Sequence, residues 1–152
     1  MMKTLILGMG NPILSDDGVG IYVARALADL DHPGTTVMEA GVAGLELLDL
    51  LTGYDRAIII DAIQTKEGRI GQIYRLMPQG LDTTRHAAAP HDVNFATALE
   101  LGKRLGLAMP REITIFAIEA GDVSTFSEKC SPEVEQAIPV CVEKVVEVLS
   151  GN

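Results

Sequence analysis

The chain has 152 residues, the length of one ordinary domain, and can bury a hydrophobic core without disulfides or metals. It carries 12 Lys and Arg against 21 Asp and Glu, for a formal net charge of -9. A surface of that sign repels phosphate backbones and anionic lipids, which excludes the usual nucleic-acid and membrane-surface partners. We therefore expect a single domain over residues 1–152 with neither kind of partner.

The N-terminal apolar run ends at Leu7, which is too short for a signal peptide, and charged residues interrupt every longer apolar stretch. We therefore expect a cytoplasmic protein. Cys130 and Cys141 are the two cysteines, too few for a disulfide framework and without the C-x-x-C spacing of a zinc or redox pair. Both are predicted to be buried, reduced thiols.

The first half of the chain alternates between the apolar period of strands and that of helices. Its predicted elements are a strand at 4–7, a helix at 17–30, a strand at 35–39, a helix at 44–51 and a strand at 56–62. The last of these has an apolar centre on both faces, which is typical of a central parallel strand covered by helices on both sides. Asp61 lies at its carboxyl end.

In the second half, the connection over residues 63–70 is too short for a parallel crossover. A strand at 72–76 should therefore be antiparallel, as a hairpin partner or a nearby edge strand. A loop at 77–90, a helix at 92–105, a strand at 112–118 and a final helix from Ser131-Pro132 follow, with Ser131 as N-cap. The final helix should turn these residues toward the core: Ile138, Cys141, Val142, Val145 and Leu149. The fold class is thus α/β, with a mostly parallel sheet and one antiparallel strand.

Three polar residues gather at one predicted edge of this sheet. Asp17 follows the first strand, Asp61 ends the third, and His91 opens the third helix. Ligands of open α/β sheets bind outside the carboxyl ends of the strands, at a topological switch point. Two carboxylates and one imidazole suit a divalent ion such as nickel or zinc and leave positions open for substrate or water. The pattern therefore indicates a metal-oriented catalytic site.

Each of these residues also has an ordinary structural explanation. Asp16 and Asp17 could be acids that the helix dipole favours in a first turn. Asp61 could cap backbone groups, and His91 could be a loop residue or a helix cap. His86, on the same loop as His91, could support the site from behind. The functional interpretation rests on the three residues together.

The glycine loop Gly8–Ile13 raises a second function, a dinucleotide-binding oxidoreductase in which Glu39 reads the ribose. Ile13 occupies the third glycine position, however, and Asp16-Asp17 would place negative charge where pyrophosphate should bind. The glycines also fit a tight strand exit whose turn is held by the Asn11 amide. A serine or cysteine nucleophile is disfavoured, because no serine has a G-x-S-x-G frame and neither cysteine ends a predicted strand beside a histidine.

The segment Gly8–Gly20, GMGNPILSDDGVG, resembles the opening signature of the hydrogenase maturation endopeptidases. Glu39–Leu48 is similar to the second motif of that family, Ile60-Asp61-Ala62 to the third and Pro90-His91-Asp92 to the fourth. Ser131–Val134 resembles the start of its final helix. The motifs stand in the family's order and cover nearly the whole chain.

The resemblance implies a three-layer α/β/α sandwich of the phosphorylase/hydrolase-like type, whose five-stranded sheet has one antiparallel strand. It implies an endopeptidase that removes a C-terminal peptide from the large-subunit precursor of a nickel-iron hydrogenase after nickel insertion. The family's metal contacts map to Asp17, Asp61 and His91. Its substrate-fitting backbone maps to Gly10, Asn11, Gly41 and Gly44. One departure is that Ile118-Glu119-Ala120 lacks the proline often found after this strand.

The mechanistic hypothesis is that the nickel of the precursor supplies the cation and that the three side chains complete its coordination. Another divalent ion could fill the site in vitro. Hydrolysis would use either a metal-polarised carbonyl or water, or one carboxylate as general base. The free enzyme is expected to be a monomer whose partner is the hydrogenase precursor. A non-catalytic nickel chaperone is the remaining alternative, beside the dinucleotide-binding protein.

Overall fold

A computed structural model describes residues 2–41, 46–78, 85–86 and 95–151. Strands and helices alternate along these ranges, as the sequence predicts. In chain order they are β1 Thr4–Met9, α1 Val19–Ala26, β2 Thr35–Ala40, α2 Glu46–Leu51, β3 Arg56–Gln64, β4 Ile73–Leu76, β5 Arg85–His86, α3 Phe95–Arg104, β6 Glu112–Glu119 and α4 Pro132–Gly151. The predicted first residues of α2 and α3 lie outside the described residues.

The main sheet has the strand order β2-β1-β3-β6-β4. The pairs among β2, β1, β3 and β6 are parallel, and β4 runs antiparallel to β6, with Ile73 opposite Ile118. The expectation of a mostly parallel five-stranded sheet with one antiparallel strand is confirmed. Of the two placements left open for β4, the structure has the edge strand, because β6 separates it from β3.

A short additional strand, β5, pairs antiparallel with the end of β3 and places residue 86 opposite Ile63. The sequence placed these residues in a loop. Two residues carry too little periodicity to indicate a strand, and the pairing depends on a β3 that continues to Gln64, two residues beyond its predicted end.

The core has two halves, one on each face of the sheet. Ile58 and Ile60 of β3 face α1 and α4, whereas Ile59 and Ile63 face α2 and α3. Side chains alternate along a strand, so a β3 that is apolar at successive positions is covered on both faces. This is the predicted three-layer arrangement. Among the described residues, no helix combines the length and apolar character that crossing a membrane requires.

The final helix packs as its apolar period predicts. It begins at Pro132, directly after Ser131. The predicted core-facing residues all reach the core on the α1 side of the sheet. Cys141, Val145 and Leu149 are buried there, and Ile138 and Val142 pack against them partly buried.

The helix predicted at 17–30 is shorter than expected at both ends: a 3-10 turn at Ser15–Gly18 precedes α1, and α1 ends at Ala26. The Asp17 N–H donates to the Leu14 carbonyl, which tightens this turn. The N–H groups of Ser15 and Asp16 donate instead to the carbonyls of Ser127 and Asp122. A distant loop therefore accepts the backbone donors at the start of this turn.

Gly20 allows α1 to lie directly on the ends of β1 and β3. A Cβ added at this position would overlap the carbonyl oxygens of Ile60 and Met9. Gly20, which lies three residues after Asp17, thus contacts the peptide that joins Ile60 to Asp61. This close approach fixes where the turn that carries Asp17 meets the strand that carries Asp61.

Replacing Gly20 by Ala should lower the free energy of unfolding by about 1–3 kcal/mol, because backbone atoms must move to admit the methyl group. Urea denaturation measures the change. Gly151→Ala is the matched control, since a Cβ there meets nothing within 4 Å. Equal stability of the two variants would contradict the packing role given to Gly20.

Candidate active site

The candidate site lies at the carboxyl edge of the sheet, between β1 and β3. From β1 the chain goes to β2 on one side and then returns to β3 on the other, which makes this gap the topological switch point. Asp61 was predicted at the end of β3 but lies three residues before its last residue, directly after Ile60, the last β3 residue that pairs with β1. The 3-10 turn that contains Asp17 packs against β3. The structure thus brings the two predicted carboxylates to one edge of the fold.

Asp17 is held by the glycine loop that follows β1. Its side chain is 7% exposed, and its Oδ2 accepts the backbone N–H of Asn11 at 3.0 Å. The Asn11 side chain closes the turn, as predicted, by accepting the Ile13 N–H at 3.1 Å. Gly10 has a φ of 138°, and a Cβ there would overlap the carbonyl oxygen of Asp17. The glycine loop after β1 therefore holds the Asp17 carboxylate through backbone contacts.

Asp61 is 6% exposed, and its Oδ1 accepts the N–H of Ala62 at 2.8 Å. It alternates with Ile59 and Ile63, so it lies on the sheet face that α2 and α3 cover. His91 precedes α3 but lies outside the described residues. Its contribution to the site stays a prediction.

The metal site predicted from the sequence depends on that histidine. Within the part of the chain that the structure describes, no group of three His, Cys, Asp or Glu side chains could hold a metal ion. Asp17 and Asp61 supply carboxylate oxygens, and an imidazole nitrogen would complete a donor set suited to a borderline divalent ion.

Two of the predicted substrate-contacting glycines lie side by side at this edge. The Gly10 N–H donates to the carbonyl of Ala40, the last residue of β2, and Gly41 follows directly. A Cβ on Gly41 would lie 3.6 Å from the Gly10 carbonyl oxygen. Gly44 lies outside the described residues, and the substrate contacts of all four predicted residues stay predictions.

A family model described as "HycI: Hydrogenase maturation protease" matches residues 21–148. The chain belongs to the hydrogenase maturation protease family. It is 26% identical to the Hydrogenase 2 maturation protease of Escherichia coli strain K12, over 97% of this chain and 96% of that protein. It is 24% identical to the hydrogenase expression/formation protein HupD of Rhizobium leguminosarum bv. viciae, over 97% and 74% of the two chains.

Solved structures give the same assignment. The hydrogenase maturating endopeptidase HybD from Escherichia coli superposes with a TM-score of 0.83 at 27% identity, covering 97% of this chain and 92% of that one. The [NiFe] hydrogenase maturation protease HybD from Thermococcus kodakarensis gives 0.73 at 26% identity, over 98% and 100%. The chain is therefore a peptide hydrolase with the fold of these proteases, as the motifs predicted.

Asp16, the neighbour of Asp17, has a structural role in this protease that the sequence did not reveal. Its side chain is fully buried and accepts three hydrogen bonds: from the Gly121 N–H at 2.8 Å, the Ser131 N–H at 2.6 Å and the Ser131 hydroxyl at 2.6 Å. Ser131 was predicted to cap α4, and its hydroxyl donates a hydrogen bond to Asp16. The carboxylate joins the turn after β1 to the loop after β6 and to the start of α4.

Replacing Asp16 by Ala should lower the free energy of unfolding by about 2–4 kcal/mol, because it leaves the part-buried donors of Gly121 and Ser131 without their acceptor. Chemical denaturation measures the loss. Asp29→Ala, at an exposed position after α1, should change stability little. An Asp16→Ala protein as stable as that control would show that the three hydrogen bonds are not needed.

Glu119 is a second buried carboxylate that the sequence did not single out. It is 3% exposed and accepts hydrogen bonds from the Thr65 N–H at 2.8 Å, the Thr65 hydroxyl at 2.7 Å and the Tyr74 hydroxyl at 2.8 Å. A Cβ on Gly68 would overlap its Oε1. Glu119 joins the connection between β3 and β4 to the end of β6.

Neither cysteine of the protease is poised to act as a nucleophile. Both thiols are buried and free, as predicted. Burial raises the pKa of Cys130 to about 12, with a further contribution from the nearby Asp16, and burial raises the pKa of Cys141 to about 12. Nucleophilic attack requires the thiolate, so these environments exclude a cysteine-protease mechanism.

We expect the native protein to resist alkylation by iodoacetamide at pH 8. A thiol of pKa about 12 is then ionised in only about one molecule in ten thousand, and burial restricts access further. Mass spectrometry should show no label in the native state and two labels after unfolding in urea. Rapid labelling of the folded protein would contradict the assigned burial.

The dinucleotide-binding alternative finds no support at this site. Glu39, which would read the ribose, lies in an exposed ion pair with Arg25, with 3.1 Å between Arg25 Nε and Glu39 Oε2. The turn after β1, where a pyrophosphate would bind, is filled by the buried side chains of Asp16 and Asp17.

A cavity of about 410 Å³ lies at the end of the sheet opposite to the candidate site. Its wall includes Arg56 and Glu112, the first residues of β3 and β6, together with Arg111. Neither Asp17 nor Asp61 lines it. Since catalysis in open α/β sheets takes place at the carboxyl ends of the strands, this cavity is not the candidate active site.

Proposed function

We propose that this protease removes a C-terminal peptide from the nickel-loaded large-subunit precursor of a nickel-iron hydrogenase. The observation that carries the proposal is that two buried carboxylates lie at the switch-point edge of the sheet, Asp61 on β3 and Asp17 on the turn that packs against β3. Membership of the hydrogenase maturation proteases supports the substrate class. The proposed setting is the cytoplasm, with the free enzyme a monomer.

The nickel belongs to the substrate in this proposal. Asp17 and Asp61 each offer a carboxylate oxygen, and His91 offers an imidazole nitrogen, so the three residues complete the coordination of an ion that the precursor already holds. Recognition of the ion aligns the adjacent peptide with the carboxylates. Selection then depends on metal loading, and the purified enzyme is expected to be largely metal-free or to carry an ion from the buffer.

The reaction adds water across the scissile amide, with hydroxide going to the carbonyl carbon and a proton to the departing amine. Two assignments remain open for the activation of water. Nickel could polarise the carbonyl or the water, or Asp17 or Asp61 could take the water proton as general base. Neighbouring carboxylates raise one another's proton affinity, and a cation between them favours the ionised form of both. Gly10, Asn11, Gly41 and Gly44 are proposed to contact the substrate backbone.

Incubation with nickel-loaded cognate precursor should shorten the C-terminus of the precursor, whereas nickel-free precursor should keep its mass. Asp17→Asn and Asp61→Asn should each lower kcat/KM by roughly 100-fold or more, because each removes a charge that coordinates the ion or accepts a proton. Mass spectrometry of the precursor provides the readout. Asp29→Asn, an exposed acid after α1, is the control and should cleave normally.

The rival functions give different results in the same experiment. A nickel chaperone would bind the loaded precursor and leave its mass unchanged. A dinucleotide-binding protein would unfold at a higher temperature in the presence of NAD or NADP. Intact loaded cognate precursor after prolonged incubation would argue against the proposed hydrolysis.

A further inference from the structure

Phe126 is the most exposed large apolar side chain among the described residues, with 80% of its surface open to solvent. It lies in the loop between β6 and α4. Ile13, in the glycine loop after β1, is 47% exposed. An isolated exposed apolar residue needs no explanation, but two of them on segments that are joined to each other do.

The backbone on both sides of Phe126 is held by the turn that precedes α1. Ser127 forms a parallel bridge with Leu14, in which the Ser127 N–H donates to the Ile13 carbonyl at 2.9 Å and the Ser15 N–H donates to the Ser127 carbonyl at 3.0 Å. On the other side, the Ser15 hydroxyl donates to the Thr125 carbonyl at 2.7 Å. Phe126 therefore sits on a braced segment.

The start of the same loop is fixed by Asp122. Its Oδ1 accepts the N–H groups of Ser124 and Thr125, each at 3.0 Å. Hydrogen bonds from the Thr125 side chain and from these two N–H groups lower the pKa of Asp122 from 3.8 to about 2. The carboxylate is thus ionised, and the turn held, at every pH above about 4; the support weakens only as the pH falls toward 2.

This loop is joined to the turn that carries Asp17, and we call this junction the rim of the candidate site. Ile13 and Phe126 each precede one member of the Leu14–Ser127 bridge, which makes them neighbours across it. Ile13 belongs to the turn whose Asn11 N–H binds the Asp17 carboxylate. Ser15, which holds the loop of Phe126, lies two residues before Asp17.

We propose that Ile13 and Phe126 form a docking patch that binds an apolar surface of the folded protein substrate next to the segment to be cut. The inference rests on the proposed function, since it assigns the patch to the same precursor. The backbone that carries Phe126 is already held, so little backbone entropy is lost on binding, and aromatic residues dominate the binding energy at many protein interfaces.

The net charge of the chain indicates that the docking patch binds the precursor rather than a second copy of this protein. Each copy carries a formal net charge of -9, so self-association through the patch would bring like charges together. A protein substrate must lie over the rim to deliver a peptide to Asp17 and Asp61. The precursor is therefore the occupant to which the proposal commits.

The test compares steady-state cleavage of nickel-loaded precursor by wild type and Phe126→Ala. KM should rise about tenfold with kcat nearly unchanged, because the patch contributes equally to binding in the ground state and the transition state. Phe126→Tyr, which keeps the aromatic ring, should retain most of the wild-type KM. Leu105→Ala is the matched control, since Leu105 is 63% exposed in the connection that precedes β6, at the other end of the sheet.

Thermal unfolding and sedimentation of all four proteins accompany the kinetics. The melting temperature should be unchanged in each variant, because both truncated side chains are largely exposed in the folded protein. A wild-type KM for Phe126→Ala would overturn the docking patch, as would a wild-type dimer that this substitution converts to a monomer. Failure of the wild type to cut any loaded precursor would count against the proposed function, and precursor binding measured without turnover would then test the patch separately.

Discussion

The candidate site depends on the close contact between the start of α1 and the ends of β1 and β3. Gly20 lies so near the carbonyls of Met9 and Ile60 that no side chain fits between them. The contact is short because both partners are backbone, and it leaves the turn with Asp17 and the strand with Asp61 little freedom to separate. A larger residue at position 20 would lift the helix and widen the site.

The two adjacent acids of the 3-10 turn have different roles. The Asp16 carboxylate accepts hydrogen bonds from Gly121, in the loop after β6, and from Ser131, which precedes α4. Asp17 points to the glycine loop at Asn11. One acid thus secures the scaffold, and the other is held by the glycine loop. Further hydrogen bonds from Ser15, in the same turn, hold the loop of Phe126, so the turn and this loop form one connected unit.

The glycine loop shows why a short motif cannot assign a function by itself. A parallel sheet with a glycine-rich turn after its first strand would suit a dinucleotide. Here the turn closes on the carboxylate of Asp17, and Gly10 admits the Asp17 carbonyl where a phosphate would otherwise approach. The fold permits both functions, and the charge placed at the switch point decides between them.

Local patterns in the sequence determined the α/β class, the central strand around Ile58–Ile60, the core-facing side of α4 and the edge at which Asp17 and Asp61 lie. They could do so because strand and helix periods and apolar runs are properties of neighbouring residues. The position of His91 in the site stays a prediction. Tertiary structure alone decided that α1 starts late, that β4 joins β6, and that Asp16 rather than Asp17 secures the scaffold. These features arise from contacts between distant segments, such as the Asp16 and Ser131 pair separated by 115 residues, and no local pattern encodes such a partner.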